Sequence, residues 1–491
     1  MAADAEPDRV ALTCDGRHWT YAEVWAAATG AAAKFTRSGC KYVALLDTGS
    51  EAAPIALFGA ALAGLPYCPL NYRLADAELA GLLQRIEPAF IIGDRARVND
   101  IAPGGSHVVE TREAFVTTAS TGAAPDIDSR ASAEDIAVQL FTSGTTGAPK
   151  AAILRHANLA AYILGTVEFA NAGSSDAALL SVPPYHVAGI AALLSSVYSL
   201  RRIVFLPAFE PDAWLDLCVH ERITQAFVVP TMLSRIVERL DARHPSVDLS
   251  HLRALSYGGG RMPTDLIARA LELFPQTGFT NAYGLTETSS TIALLDPRDH
   301  RIAHESNDPR VKARLGSVGK PLPTIELQIR DESGAVLPLG QAGEIYVRGE
   351  QVSGEYQGRV ARGADGWFPT RDAGYLNEEG YLFLSGRADD VIVRGGENLS
   401  PGEIEDVLLS HPNVIDAAAV GVPSSEWGEA VAVAIVVKSP APEDQELREL
   451  IRQRLRSSRI PEQIKRVEAL PYNEMGKLLR REVKRLFGGP G

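Results

Sequence analysis

The run Thr142-Ser-Gly-Thr-Thr-Gly-Ala-Pro-Lys150 gathers hydroxyls, glycines and a cation in one short stretch. Gly144 and Gly147 permit close backbone approach, so that free N–H groups can cradle phosphate oxygens. Thr142, Ser143, Thr145 and Thr146 add hydroxyl donors, and Lys150 adds a positive charge. A nucleotide-hydrolysing loop of the GxxxxGK[ST] type is excluded. Pro149 precedes the lysine where glycine is required, and Ala151 follows where the magnesium-binding hydroxyl belongs. A plain Ser/Thr/Gly turn is the competing reading, and the density of small and hydroxylated residues before a lysine weighs against it.

Five more segments follow in order: Tyr283-Gly-Leu-Thr-Glu-Thr288, Thr370-Arg-Asp-Ala-Gly374, Gly386-Arg-Ala-Asp-Asp390, Arg394-Gly-Gly-Glu-Asn398 and Asn473-Glu-Met-Gly-Lys-Leu-Leu479. Thr20-Tyr-Ala-Glu23 lies upstream. Together with the 142–150 loop they resemble the motifs of the adenylate-forming superfamily: acyl-CoA synthetases, luciferases and nonribosomal-peptide adenylation domains. The resemblance covers nearly the whole chain and is closest in look to acyl-CoA ligases.

That resemblance implies a two-step reaction. A carboxylate attacks the α-phosphate of ATP and expels pyrophosphate, and the acyl group then passes to the thiol of coenzyme A. Two anions must meet in the first step, so preorganised positive charge and a metal ion are the main requirements. By resemblance, Thr142, Ser143, Gly144, Thr145, Thr146, Gly147 and Lys150 hold the β- and γ-phosphates. Thr286 contacts the α-phosphate, and Glu287 helps to bind Mg2+, for which a carboxylate oxygen is a suitable hard ligand. Read alone, Glu287 is better explained as a helix-starting carboxylate.

Tyr283 offers a ring face to adenine, and Gly258 and Gly259 of the run Gly258-Gly-Gly260 let backbone approach the base and the acyl pocket. As an ordinary core aromatic, Tyr283 needs no ligand at all. By resemblance, Asp372 accepts hydrogen bonds from the ribose hydroxyls, with Arg387 nearby. The resemblance further implies that Lys477 swings in to bridge the carboxylate and the α-phosphate. Without the resemblance, the basic segment around Lys477, Arg480, Arg481, Lys484 and Arg485 reads as a solvated helix face. Asp389 takes a hinge position, where the bland reading is a polar turn. Rotation after adenylation removes Lys477 and presents the turn at Gly395 and Gly396 to the pantetheine tunnel.

The acyl pocket is marked by Pro183-Pro-Tyr-His-Val-Ala-Gly189, which resembles the family's proline-aromatic-histidine segment. His186 then gates or lines the channel rather than serving as an obligatory base, and a hydrogen-bonded structural histidine is the competing reading. Small residues at Gly189 and Gly258–Gly260, with no charged partner for an ammonium group, favour a fatty, aromatic or alicyclic acid over an amino acid. Two alternatives stay open: an acyl-AMP ligase that loads a separate carrier protein, and a non-catalytic nucleotide-binding regulatory protein. Ala151, Arg371 and Arg459 depart from the family's usual Gly, Gly and Lys and support the second. The presence of Lys150, Thr286, Glu287, Asp372 and Lys477 argues against it.

These groups need a scaffold to bring them together. Val43–Asp47, Ile203–Leu206, Ala226–Val229 and Leu252–Tyr257 read as buried strands between helical segments such as Ala52–Ala63, which predicts α/β layering. After Leu322, the short alternating runs Glu326–Arg330, Gly343–Gly349 and Gly380–Leu384 predict a small β-barrel-like subdomain. Beyond them, helices over Glu403–Ser410 and Gln445–Ser457, with strands over Ala417–Val422 and Val431–Lys438, predict a small, mobile α+β C-terminal domain. The expected division is an N-terminal adenylation domain over 1–386, a hinge over 387–390 and a C-terminal domain over 391–491.

Composition bounds the remainder. A chain of 491 residues exceeds one ordinary core, and 46% hydrophobic with 22% charged residues suits a globular protein. A net charge of -13 disfavours a nucleic-acid partner. Cys14, Cys40, Cys68 and Cys218 are scattered, as expected for buried free thiols in a reducing compartment. The uncharged stretch between Asp176 and Arg201 is interrupted by Pro183-Pro184, which predicts a strand, a loop and a buried helix over Ala188–Leu200 instead of a membrane span. The N-terminus lacks the order of a signal peptide, and a cytoplasmic location is expected. Expected small-molecule partners are the acid, ATP and CoA, and a homodimer is left open.

Overall fold

The computed structural model describes residues 1–121, 131–142, 149–243, 247–387, 390–394, 397–424, 426–473 and 478–488. Among these, two mixed sheets of nine and eight strands form most of a large N-terminal domain. At the centre of the first, Val10–Cys14, Arg202–Phe205, Ala177–Leu180, Gln225–Val228, Ala254–Gly258 and Gly278–Leu285 run parallel to one another. In the second, Val108–Glu110, Ala89–Gly93, Tyr42–Leu46, Tyr67–Pro69 and Ile136–Thr142 are parallel, and Lys150–Arg155 and Glu355–Tyr356 add antiparallel edges.

These strands are parallel and apolar on both faces because helices cover them, the arrangement an alternating α/β sequence requires. One core joins the two sheets: Leu12, Trp19, Ile203 and Phe205 of the first meet Val43, Leu45, Tyr67 and Val138 of the second around Phe35 and Phe115. The helix Tyr21–Ser38 that packs there begins at the Thr20–Glu23 segment. Glu23 N–H donates to Thr20 Oγ1 (3.2 Å), and Thr20 N–H donates to Glu23 Oε2 (2.8 Å). This capping box satisfies two helix-end donors, and its threonine stabilises by about 1 kcal/mol.

The strands expected after Leu322 form a four-stranded antiparallel sheet, Glu326–Arg330, Gly343–Arg348, Phe368–Leu376 and Leu382–Arg387. Ile345, Val347, Phe368 and Leu382 pack it against Tyr283 and Ile292 of the first sheet. The last strand starts later than Gly380, because Asn377–Gly380 is a turn closed by Asn377 Oδ1 and by Gly380 at φ +81°.

The small C-terminal domain is a five-stranded sheet built around Val414–Ser424 and Gly428–Val437. Helices Pro401–Leu409 and Asp444–Arg454 supply the core of one face, and Arg480–Leu486 packs on the other. The second helix ends at Arg454 rather than Ser457, because Leu455 turns extended and Ser457–Arg459 forms a separate 3-10 turn. All four cysteines are buried and free. The uncharged stretch holds the strand Ala177–Leu180 and the helix Val187–Tyr198, and no helix among the described residues is long and apolar enough to cross a membrane.

Candidate active site

Three of the singled-out segments leave the carboxyl ends of parallel strands in the first sheet. His186 follows Ala177–Leu180, Gly259 follows Ala254–Gly258, and Thr286 follows Gly278–Leu285. Crevices beyond such strand ends are the usual ligand sites of open α/β sheets. From the second sheet comes the phosphate-loop segment. Thr142 and Lys150 face each other across the antiparallel pair that carries the loop, and Thr142 Oγ1 donates to Lys150 O (3.4 Å). Ser143, Gly144, Thr145, Thr146 and Gly147 lie outside the described residues, as do Asp389, Gly395, Gly396 and Lys477.

Glu287 sits in the 3-10 turn Thr286–Thr288 and is buried. Its carbonyl accepts from Ser353 N (2.9 Å) and Gly354 N (3.1 Å), and its Oε1 accepts from the Tyr356 hydroxyl (2.5 Å). Thr286 precedes it, half-buried. Lys150 Nζ lies 5.8 Å from the centre of the Tyr356 ring. No cluster of three metal-binding side chains exists among the described residues. A lone carboxylate nevertheless suits Mg2+ carried by a triphosphate, which needs only one or two protein carboxylates beside the phosphates. Glu287 therefore fits that ion.

A second group forms where the small sheet meets the first. Asp372 and Arg387 are paired across adjacent strands, with Arg387 Nε 3.0 Å from Asp372 Oδ1. The Tyr283 hydroxyl donates to Asp372 Oδ2 (2.7 Å). Burial and the neighbouring Asp372 charge push the Tyr283 phenol well up, so it stays a donor at neutral pH. Its ring lies largely inside the core that it shares with Ile292 and Phe368. Asp372 N–H donates to Thr370 Oγ1 (3.1 Å), and Arg387 Nη1 donates to Thr370 O (3.2 Å). The carboxylate is thus oriented from both sides.

Backbone geometry explains the glycines at the strand end. A Cβ on Gly258 would stand 2.3 Å from Ala282 O on the neighbouring strand, and Gly259 has φ +80°. His186 is half-buried at the start of the helix Val187–Tyr198, and its ring packs 4.5 Å from that of Tyr185. Burial, with the Arg73 charge adding to it, brings His186 down to about 4, so the imidazole is neutral at pH 7. Its Nε2 is enclosed and has no protein hydrogen-bond partner. A buried polar atom left this way is costly, and a ligand or water would satisfy it.

The structure brings Lys150 and Glu287 together through Tyr356, and it joins Tyr283, Asp372 and Arg387 in one network. Arg394 turns instead toward its own domain, donating to Ser458 O (2.8 Å) and pairing with Glu462 (2.8 Å). Two residues absent from the sequence reading matter here. Tyr356 bridges the phosphate-loop lysine and the acidic turn. Arg85 stacks on Phe141 (4.9 Å) and donates to Pro149 O and Gln357 Oε1, pinning the loop's exit. Neither stands in a patterned motif, so spacing carries no signal for them.

A family model for the AMP-binding enzyme matches residues 1–357, and one for the AMP-binding enzyme C-terminal domain matches 403–477. A feruloyl-CoA synthase from Amycolatopsis is 32% identical, over 99% of this chain and 97% of the relative. A fatty acid–[acyl-carrier-protein] ligase, ScoC of Streptomyces coeruleorubidus, is 32% identical over 99% of this chain and 95% of its own length. Among solved structures, the o-succinylbenzoate coenzyme A synthetase of Bacillus subtilis, in complex with ATP and magnesium ion, superposes with a TM-score of 0.83. It is 29% identical and covers 98% of each chain.

Proposed function

The chain belongs to the AMP-binding enzyme family, and on that premise we propose that it is an AMP-forming acid–thiol ligase acting on a fatty, aromatic or alicyclic carboxylic acid. The carrying observation is convergence: Lys150, Glu287 and the Tyr283–Asp372–Arg387 network come from distant segments and three sheets, and the Arg387 charge acts on Tyr356, which donates to Glu287. In the first step the acid's carboxylate oxygen forms a bond to the α-phosphorus of ATP, and the bond to the bridging oxygen breaks with departure of pyrophosphate. In the second the sulfur of coenzyme A bonds to the acyl carbon and AMP leaves, while the thiol proton passes to solvent or a base.

Thr142, Ser143, Gly144, Thr145, Thr146, Gly147 and Lys150 hold the outer phosphates, and Thr286 holds the α-phosphate. Mg2+ bound through Glu287 would neutralise charge on the phosphates as pyrophosphate departs. Asp372, oriented by Tyr283 and Arg387, receives the ribose hydroxyls. Gly258 and Gly259 admit the base and the acyl group. His186, neutral and with an unpartnered Nε2, lines the acyl and thiol channel as a donor or acceptor rather than a cation. Residues 1–386 carry these groups apart from Arg387, which opens the hinge over 387–390, and 391–491 deliver Lys477 first and the Gly395–Gly396 turn second.

The ScoC relative favours one further reading, in which the acceptor thiol is the phosphopantetheine of a separate carrier protein. Lys477→Ala tests the mechanism. Acid-dependent pyrophosphate exchange should fall by roughly 10²–10³ or more, with thioester formation from supplied acyl-adenylate retained. Equal losses in both half-reactions would remove Lys477 from its role.

A further inference from the structure

We propose that Tyr356 is a positioning residue for the adenylation step, holding the carboxylate of Glu287 and the ammonium of Lys150 in one arrangement. The inference rests on the reading of Glu287 and Lys150 given above and extends it to a residue outside every motif. Tyr356 belongs to the two-residue strand Glu355–Tyr356, which pairs with the phosphate-loop strand so that Tyr356 stands opposite Ala152. From there its hydroxyl reaches Glu287 Oε1 at 2.5 Å, while Lys150 Nζ lies 5.8 Å from its ring centre, within cation–π range.

The flanking residues grip Glu287 and the strand that carries Lys150. Ser353 N, Gly354 N and Ser353 Oγ (3.2 Å) all donate to the Glu287 carbonyl. On the other side, Gln357 N donates to Ala151 O (2.9 Å), and Gln357 Oε1 accepts from Arg85 (3.0 Å), which also holds Pro149 O. The pair Arg155–Glu355 (2.8 Å) fixes the strand edge. Segment 353–357 is therefore a strap between the acidic turn of one sheet and the loop strand of the other, with Tyr356 as its side-chain contact to both.

A phenol donating to an ionised carboxylate makes a strong, directional hydrogen bond. A carboxylate accepts at both oxygens, so this bond fixes the rotation of Glu287 and leaves capacity for a cation. Partners that orient a metal-binding carboxylate typically matter by 10–100-fold in affinity or activity. A merely space-filling aromatic at a sheet edge needs its ring alone. The hydroxyl is what separates the two roles.

The test is calorimetric titration of the full chain with ATP, once with Mg2+ and once in EDTA. Tyr356→Phe should weaken Mg2+-dependent ATP binding roughly tenfold and leave binding in EDTA unchanged. On a Glu287→Gln background the same substitution should add nothing, because the two act as a pair. Unchanged Mg2+ dependence in Tyr356→Phe would overturn the inference, as would tighter Mg2+ binding or an equal loss on both backgrounds. Loss of binding in EDTA as well would point to a collapsed pocket and overturn the specific role. If the unsubstituted chain shows no Mg2+-dependent binding, the reading of Glu287 itself fails and takes the inference with it.

Discussion

Asp372 follows a residue whose backbone lies at φ +62°, the left-handed region that glycine enters freely and arginine does not. That residue is Arg371. Its guanidinium is mostly exposed, and its ion pair with Glu344, at 3.8 Å, carries little energetic weight. Asp372 is held without it, by Tyr283, Arg387 and Thr370. Arg371→Gly should therefore stabilise the protein by about 0.5–1 kcal/mol, seen as a higher Tm, with ATP affinity unchanged. A drop in ATP affinity would instead make the Arg371 cation part of the nucleotide site. At this scale, the resemblance singles out Glu287, Asp372 and Lys150 as charges that the proposed chemistry calls for, whereas residue type alone would read Glu287 as a helix-starting carboxylate. Tyr356 is not legible, since its partners lie 69 residues earlier for Glu287 and on a different strand for Lys150.

The element that sets Glu287 is the hairpin Gly278–Leu285 and Ser290–Leu295, whose register shifts between Tyr283 and Gly284. A Cβ on Gly284 would stand 1.8 Å from Ser290 O, so only glycine lets the strands close at that shift. Gly284→Ala must push them apart, at about 1–3 kcal/mol, and displace the 3-10 turn that follows. Thermal denaturation should show a lower Tm, and Mg2+-dependent ATP binding should weaken with it. An unchanged Tm would contradict the packing described. Elements as such read well from sequence: Ala52–Ala63 and Glu326–Arg330 stand where their patterns place them, and the Thr20–Glu23 capping box marks its helix start. Ends read less well where a side chain closes a turn, as Asn377 does before Leu382–Arg387. Nothing local in Gly284 reveals the register shift that requires it, because the colliding carbonyl belongs to the other strand.

For the molecule as a whole, sequence texture separates the α/β layers, the antiparallel sheet after Leu322 and the C-terminal α+β unit, since each has its own hydrophobic period. How the parts dock depends on contacts that no period encodes. Arg261, next to the Gly258–Gly260 run, forms an ion pair with Asp406 and lies 3.7 Å from Glu405 on the C-terminal helix Pro401–Leu409. Gly402 leaves room for it, since a Cβ there would meet Arg261 Nη1 at 1.9 Å. Burial raises Asp406 to about 6 even beside this arginine. A rotation of the C-terminal domain must break this contact, so the domain arrangement and the Gly258–Gly260 turn are mechanically linked.

The proposed chemistry has one direct readout, the fate of ATP. The chain is incubated with ATP, Mg2+ and a panel of fatty, aromatic and alicyclic acids, with and without coenzyme A, and the nucleotide and phosphate products are separated. The expected result is AMP and pyrophosphate formed only when an accepted acid is present, with an acyl-CoA thioester appearing in step with AMP once coenzyme A is added. Formation of ADP and orthophosphate, or AMP release that ignores the acid, would contradict acid activation by adenylation.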